Sequence, residues 1–186
     1  MSDIFIQPTP NPNALKFVID TNVKSSGKSS YKSIEDTKFN PLAEKIFKLR
    51  GVDQLHFFMN VITVSKFNFA DWDELEEEII KVINDNIEEH DPNFKEHDPE
   101  IERRANLPPE VQKIEAILDS QIRPGLQGDG GDLSVVDYQD NILIIKYQGA
   151  CGTCPSSTAG TLNAITSILR DEFNPEIEVY TAPDYD

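Results

Sequence analysis

Apolar residues change period several times along the chain, and each change marks an element. Ile4-Phe5-Ile6 and Leu15-Lys16-Phe17-Val18-Ile19 are strand-like runs on either side of Pro8-Thr9-Pro10-Asn11-Pro12-Asn13, a stretch of turn-forming residues. Lys24 to Ser33, rich in Ser, Lys and Gly, shows no apolar alternation and is expected to be a loop or hairpin tip. At Asn40 the pattern becomes helical. Asn40 is placed to cap, Pro41 takes the first position, Leu42, Ala43, Ile46 and Phe47 share a face, and Gly51 stops the helix. Strands are expected around Gln54 to Phe58 and Val61 to Lys66. Asp71 with Glu74 resembles a capping box ahead of a helix whose buried stripe is Leu75, Ile79, Val82, Ile83 and Ile87.

The second half has a cleaner pattern. Val111, Ile114, Ile117, Leu118 and Ile122 recur at helical spacing, and Pro124-Gly125 is expected to end that helix or bend its last turn. Leu133 to Tyr138 and Asn141 to Tyr147 read as an antiparallel hairpin turning at Gln139-Asp140. A helix follows with Ala159, Leu162, Ile165, Ile168 and Leu169 inward, then a last strand at Ile177 to Tyr180. The order α-β-β-α-β suits two helices covering one face of a small mixed sheet.

Between the halves, Glu89-His90-Asp91-Pro92 recurs as Glu96-His97-Asp98-Pro99, and Pro108-Pro109 follows, with no apolar period. The fold class is therefore α+β: two small α/β-mixed domains joined by an acidic linker. The boundaries expected are residues 1–90, a linker over 91–106, and 107–186. A length of 186 residues permits this division. His90 and His97, in a hinge-like setting, are not assigned to a site.

Charge and composition narrow the function. The chain carries 33 acidic and 17 basic side chains, for a net charge of -16, with the larger share of the excess in the second half. That balance argues against binding nucleic acid through its phosphates, which needs concentrated Lys and Arg. The longest apolar run, Ile142 to Ile145, is far below the roughly 20 residues of a membrane helix. The start, Met1-Ser2-Asp3-Ile4-Phe5-Ile6-Gln7-Pro8, has neither the basic start nor the apolar stretch of a signal peptide. No membrane partner and a cytoplasmic location are expected.

Only two cysteines are present, Cys151 and Cys154, in Gly149-Ala150-Cys151-Gly152-Thr153-Cys154-Pro155-Ser156-Ser157 between an apolar strand and an amphipathic helix. Two thiols cannot build a disulfide framework, and their spacing points to metal or redox chemistry. A helix start favours the thiolate, the nucleophilic and metal-binding form. A dithiol-disulfide oxidoreductase would use such a pair, although thioredoxin-type proteins carry it early, after a β-α-β unit, whereas here it precedes the last helix. Structural zinc needs four ligands, and His56, His90 and His97 are remote in sequence. An iron-sulfur cluster takes four thiolates, so one chain supplies half a site and two chains a whole one. Two buried thiols without a ligand remain a fourth reading. Ser156, Ser157 and Thr158 have no adjacent histidine base and are read as helix-cap residues, not nucleophiles. Gly128 to Asp132 lacks the endings of a phosphate or calcium loop, and is taken as a tight turn in which Asp129 and Asp132 bond local amides.

Arg123-Pro124-Gly125-Leu126-Gln127-Gly128-Asp129-Gly130-Gly131-Asp132, followed by the Cys151 to Cys154 motif, resembles the carboxy-terminal domain of NifU-like proteins. Thr9-Pro10-Asn11-Pro12-Asn13-Ala14-Leu15-Lys16-Phe17 and Phe57-Phe58-Met59-Asn60-Val61-Ile62-Thr63-Val64 resemble the amino-terminal domain of the Nfu type, with Met59 where family members often have glycine. The resemblance implies a non-enzymatic iron-sulfur cluster scaffold or carrier. Cys151 and Cys154 of two subunits would hold a cluster, usually [4Fe-4S], in a homodimer that receives it from upstream donors and hands it to apo-proteins.

Overall fold

The computed structural model describes residues 3–94, 106–151 and 158–182. The chain divides into two compact units, Met1–Glu96 and His97–Asp186, with separate apolar cores.

The first unit is a five-stranded antiparallel sheet in the order β1-β2-β5-β4-β3. Its strands are β1 (Ile4–Pro8), β2 (Ala14–Ile19), β3 (Lys28–Tyr31), β4 (Val52–Phe58) and β5 (Val61–Lys66). Two helices, α1 (Pro41–Phe47) and α2 (Trp72–Asn86), contribute Leu42, Ala43, Ile46, Leu75, Ile79 and Ile83 to a core with Phe17, Leu55, Phe57 and Val64. Asn40 and Asp71 both cap, but Asp71 does so through the Asp73 amide and not in the capping box with Glu74 that the sequence suggests. Asn40 Oδ1 accepts from the Ala43 amide at 3.1 Å, and Asp71 Oδ1 accepts from the Asp73 amide at 3.1 Å.

One expectation here is overturned: within Lys24 to Ser33, Lys28–Tyr31 is an edge strand, pairing Lys28 with Phe58 and Tyr31 with Leu55. A neighbouring strand supplies the pairing that Lys-Ser-Ser-Tyr does not announce by hydrophobicity, and Tyr31 buries its ring edge-on to Phe57. His90 is also not in a hinge. Its Nε2 lies 2.7 Å from the Val23 carbonyl and its ring packs against Phe57 and Phe94. The chain stays attached to this unit as far as Phe94, through Ser25 N–H donating to Pro92 O at 2.9 Å and the Lys24 ammonium 3.8 Å above the Phe94 ring. The remainder of the stretch read as a linker, and His97 within it, lies outside the described residues up to Asn106.

The second unit opens with α3 (Pro109–Ile117), widens into a π-helical turn (Leu118–Ile122) and continues as α4 (Arg123–Gly128). Of the two outcomes expected at Pro124-Gly125, the stop is excluded: the helix continues beyond it after a widened turn. Proline lacks an amide hydrogen and its ring crowds the carbonyl four residues back, and the wider turn just before it absorbs that conflict, with Arg123 N–H bonding to Leu118 O. The buried stripe continues through Leu126. A three-stranded sheet follows, in the order β6-β7-β8, from β6 (Gly131–Gln139), β7 (Ile142–Gly149) and β8 (Glu178–Thr181). The hairpin turns at Asp140-Asn141, one residue later than expected, because both adopt positive φ (51° and 65°) as a two-residue type I′ turn needs. Helix α5 (Thr158–Glu172) crosses over to β8, which pairs parallel to β7. Ile165 and Leu169 are fully buried, with Leu162 and Ile168 partly so. The sheet is mixed, as the α-β-β-α-β order requires.

Candidate functional site

Cys151 sits just beyond β7, where backbone approaches backbone. Gly149 (φ 62°) turns the chain out of the strand, the Ala150 amide donates to Gly130 O at 3.2 Å, and Cys151 is half-buried. Gly131 is paired with Gly149 across the sheet. A Cβ at Gly131 would stand 2.4 Å from Cys151 Sγ and 2.9 Å from the Cys151 amide nitrogen, so the thiol occupies the place a side chain would take. The Gly130-Gly131 pair flagged in sequence as a turn is thus one wall of the thiol site.

That wall is anchored from behind. Asp132, buried, accepts from its neighbour Leu133 N–H at 2.7 Å, from Gln127 Nε2 at 3.1 Å, and pairs with Arg123 Nε at 3.3 Å. Arg123 is only 4% exposed and also binds Glu115 at 2.7 Å and Asp119. Glu115, Asp119 and Arg123 are spaced four apart, which stacks them on one side of the α3 to α4 run. Burial pulls the guanidinium pKa down, but the Glu115 charge and hydrogen bond, followed by the Asp119 and Asp132 charges, outweigh it and raise it above its ordinary value. The cation is therefore held charged, and the carboxylates at this end of the sheet are committed to it.

Tyr147 precedes Gly149 on the same face of β7. It is 7% exposed, and its hydroxyl has no hydrogen-bond partner among the described residues. Burial, then the negative charge of Cys151, pushes its pKa up to about 12.

The structure places Cys151 as expected, after an apolar strand and before α5. Cys154, Ser156 and Ser157 lie outside the described residues, and Thr158 opens α5. Asp132 bonds the local amide anticipated for it, with Arg123 as a partner not anticipated. His56 engages Ser30 Oγ through Nδ1 at 2.8 Å. Among the described residues no group of three or more His, Cys, Asp or Glu side chains is arranged to hold a metal ion, and no helix is long and apolar enough to cross a membrane. The described part of the site holds one soft thiol, half-buried, beside two glycines that leave its space free of Cβ atoms, and a buried hydroxyl without a partner among the described residues. The first unit has a separate open cleft of about 330 Å³ beside His90, lined in part by Phe39, Leu42, Lys45, Asn86 and Phe94.

Fold and site define a class: a two-unit α+β protein with a thiol displayed at a strand end against a diglycine wall. Residues 4–90 match the family model described as "Scaffold protein Nfu/NifU N terminal", and residues 114–180 match "NifU-like domain". The chain belongs to the Nfu/NifU family, with one domain of each type. A curated relative from Drosophila ananassae, named "NFU1 iron-sulfur cluster scaffold homolog, mitochondrial", is 34% identical over 180 residues, covering 92% of this chain and 61% of the relative. A namesake from Drosophila persimilis is 33% identical, covering 92% and 62%. The chain thus spans about three-fifths of the length of these relatives. A solution NMR structure of a NifU-like protein from Saccharomyces cerevisiae aligns at 26% identity with a TM-score of 0.48, over 52% of this chain and 87% of that one.

Proposed function

We propose that the protein is a scaffold or carrier that holds a labile iron-sulfur cluster, [4Fe-4S] in type, between Cys151 and Cys154 of two subunits and passes it to apo-proteins. The observation that carries this reading is the setting of Cys151, a half-buried thiol seated on Gly131 in a domain that matches the NifU-like model. The curated relatives' names say "iron-sulfur cluster scaffold", which agrees with it.

The cargo is bound by ligand exchange and not by catalysis. Four thiolates satisfy a cluster, so two chains with two each make the site, and a homodimer is the loaded form. Handing over exchanges one thiolate for another: each recipient thiolate that binds iron frees one cysteine thiolate here, with no electron transferred. A donor reverses the same exchange. Residues 107–186 carry the cluster, the first unit, which keeps the chain as far as Phe94, selects donors or recipients, and the stretch between them is the link. The family models over 4–90 and 114–180 support that division, and the cleft beside His90 offers the first domain a surface for selection.

Anaerobic reconstitution with ferrous iron and sulfide tests the reading. A brown dimer with about four irons per two chains is expected from the four-thiolate requirement. Cys151→Ser and Cys154→Ser should each abolish stable cluster binding, and full iron content in both variants would overturn the ligand assignment. A colourless monomer that cycles an internal disulfide and reduces test disulfides would instead make the pair a redox dithiol. A fluorescent fusion locates the protein, for which the cytoplasm was expected from sequence while its relatives are named mitochondrial.

A further inference from the structure

We propose that the Tyr147 hydroxyl donates a hydrogen bond to a sulfur of the cargo once it is held at Cys151, and so prolongs retention of the cargo. The inference rests on the reading of Cys151 as a cluster ligand and adds a residue that neither the dithiol motif nor the domain matches single out.

The geometry begins with the sheet. Leu143, Ile145, Tyr147 and Gly149 alternate onto the buried face of β7, and Leu133 and Gly131 face them in register on β6. At the end of this face stand two glycines, Gly149 opposite Gly131, so no side chain from either strand intervenes between Tyr147 and the end of the sheet. The Cys151 sulfur fills the space over Gly131. Tyr147 is the last side chain before that gap, and Cys151 packs against the apolar cluster that Tyr147 belongs to.

The hydroxyl is the second observation. A buried O–H without a partner destabilises the fold, and a phenylalanine would fill the same volume without that cost. Among the described residues the Tyr147 hydroxyl is therefore an uncommitted donor, in the apolar cluster against which Cys151 packs. A thiolate, or sulfide bridging iron beside it, concentrates negative charge, and a neutral O–H donated to it spreads that charge without adding a competing ligand. Hydrogen bonds to cluster sulfurs also tune cluster potentials.

Tyr147→Phe separates this role from a packing role, because the two predict opposite signs. The apo-variant should unfold at a higher temperature than the wild-type apo-protein, by about 4 °C for relief of one unsatisfied group in a small domain. The loaded variant should release iron to a chelator about tenfold faster, as expected for loss of one charge-assisted hydrogen bond. Resonance Raman Fe–S bands of the loaded wild type should shift on transfer to deuterated water, and that component should be lost in the variant. A lower unfolding temperature of the apo-variant overturns the proposal, since the hydroxyl would then be a structural bond. So does an unchanged release rate from a loaded variant, which leaves the cluster reading intact. A wild-type chain that takes up no iron overturns the cluster reading, and this inference with it.

Discussion

Gly131 shows how much one missing Cβ decides. Its backbone carries no positive φ, so the requirement for glycine is steric: any side chain collides with Cys151 Sγ and with the amide behind it. Gly131→Ala should displace the thiol and reduce iron retained after reconstitution at least several-fold. The fold should survive with a modest loss of stability, read from the same protein's thermal unfolding. An alanine variant with full iron content would show that the close approach is incidental. Asp53 gives a pH-dependent contrast in the other domain. It occupies the register shift between Val52 and Gln54, where an extra residue bulges from the ladder. Burial raises its pKa, with the Lys32 charge only partly opposing it. A carboxyl whose folded pKa lies above its unfolded value favours the native state while both forms are protonated. It loses that advantage as pH rises from the unfolded value of about 4 through the folded one. Asp53→Asn should therefore raise the unfolding midpoint of the first domain at neutral pH, and the gain should vanish below about pH 4. A gain that persists in acid would assign the effect to something other than ionisation.

At the scale of elements, the α3 to α4 run is a helix that accommodates proline and uses the accommodation. Widening at Leu118–Ile122 carries the chain past Pro124 and brings Arg123 under β6, where it joins Glu115, Asp119 and Asp132. Removing the cation leaves Glu115 and Asp132 buried without their countercharge, so Arg123→Gln should cost about 3–5 kcal/mol in denaturant unfolding. A cost below about 1 kcal/mol would mean the carboxylates find water or protonate with little penalty. Local pattern misled most at this scale. Pro124-Gly125 has the chemistry of a stop, and Lys28–Tyr31 has the chemistry of a loop, yet a π-turn carries the helix past the first and β4 supplies hydrogen bonds to the second. Where apolar period was strong, as in α2, β5, β7 and α5, local pattern and tertiary packing agree.

At the scale of the molecule, the two cores share no residue. Each domain should therefore unfold as its own cooperative unit, and a fragment of residues 107–186 should keep its secondary structure by circular dichroism and take up iron on reconstitution. Loss of folded structure in that fragment would show that the first domain supplies part of its stability. The net charge of -16 acts at this scale too, keeping the chain in solution and giving any exchange with a basic recipient a salt dependence.

Most of the elements, the two-domain order and the dithiol motif follow from the amino-acid sequence alone, because period, caps and spacing act over a few residues. What tertiary structure decided are the approaches between segments distant along the chain: Gly131 beneath Cys151, Arg123 behind Asp132, and Tyr147 at the edge of a gap left by two glycines. Glu115, Asp119 and Arg123 did carry a signal, charged residues four apart beside an apolar stripe, but spacing by itself does not say that such a face is buried. Tyr147 carried less, being one aromatic residue in an apolar strand. Its distinction is the lack of a partner among the described residues, which depends on neighbours brought together by the fold and not on its place in the sequence.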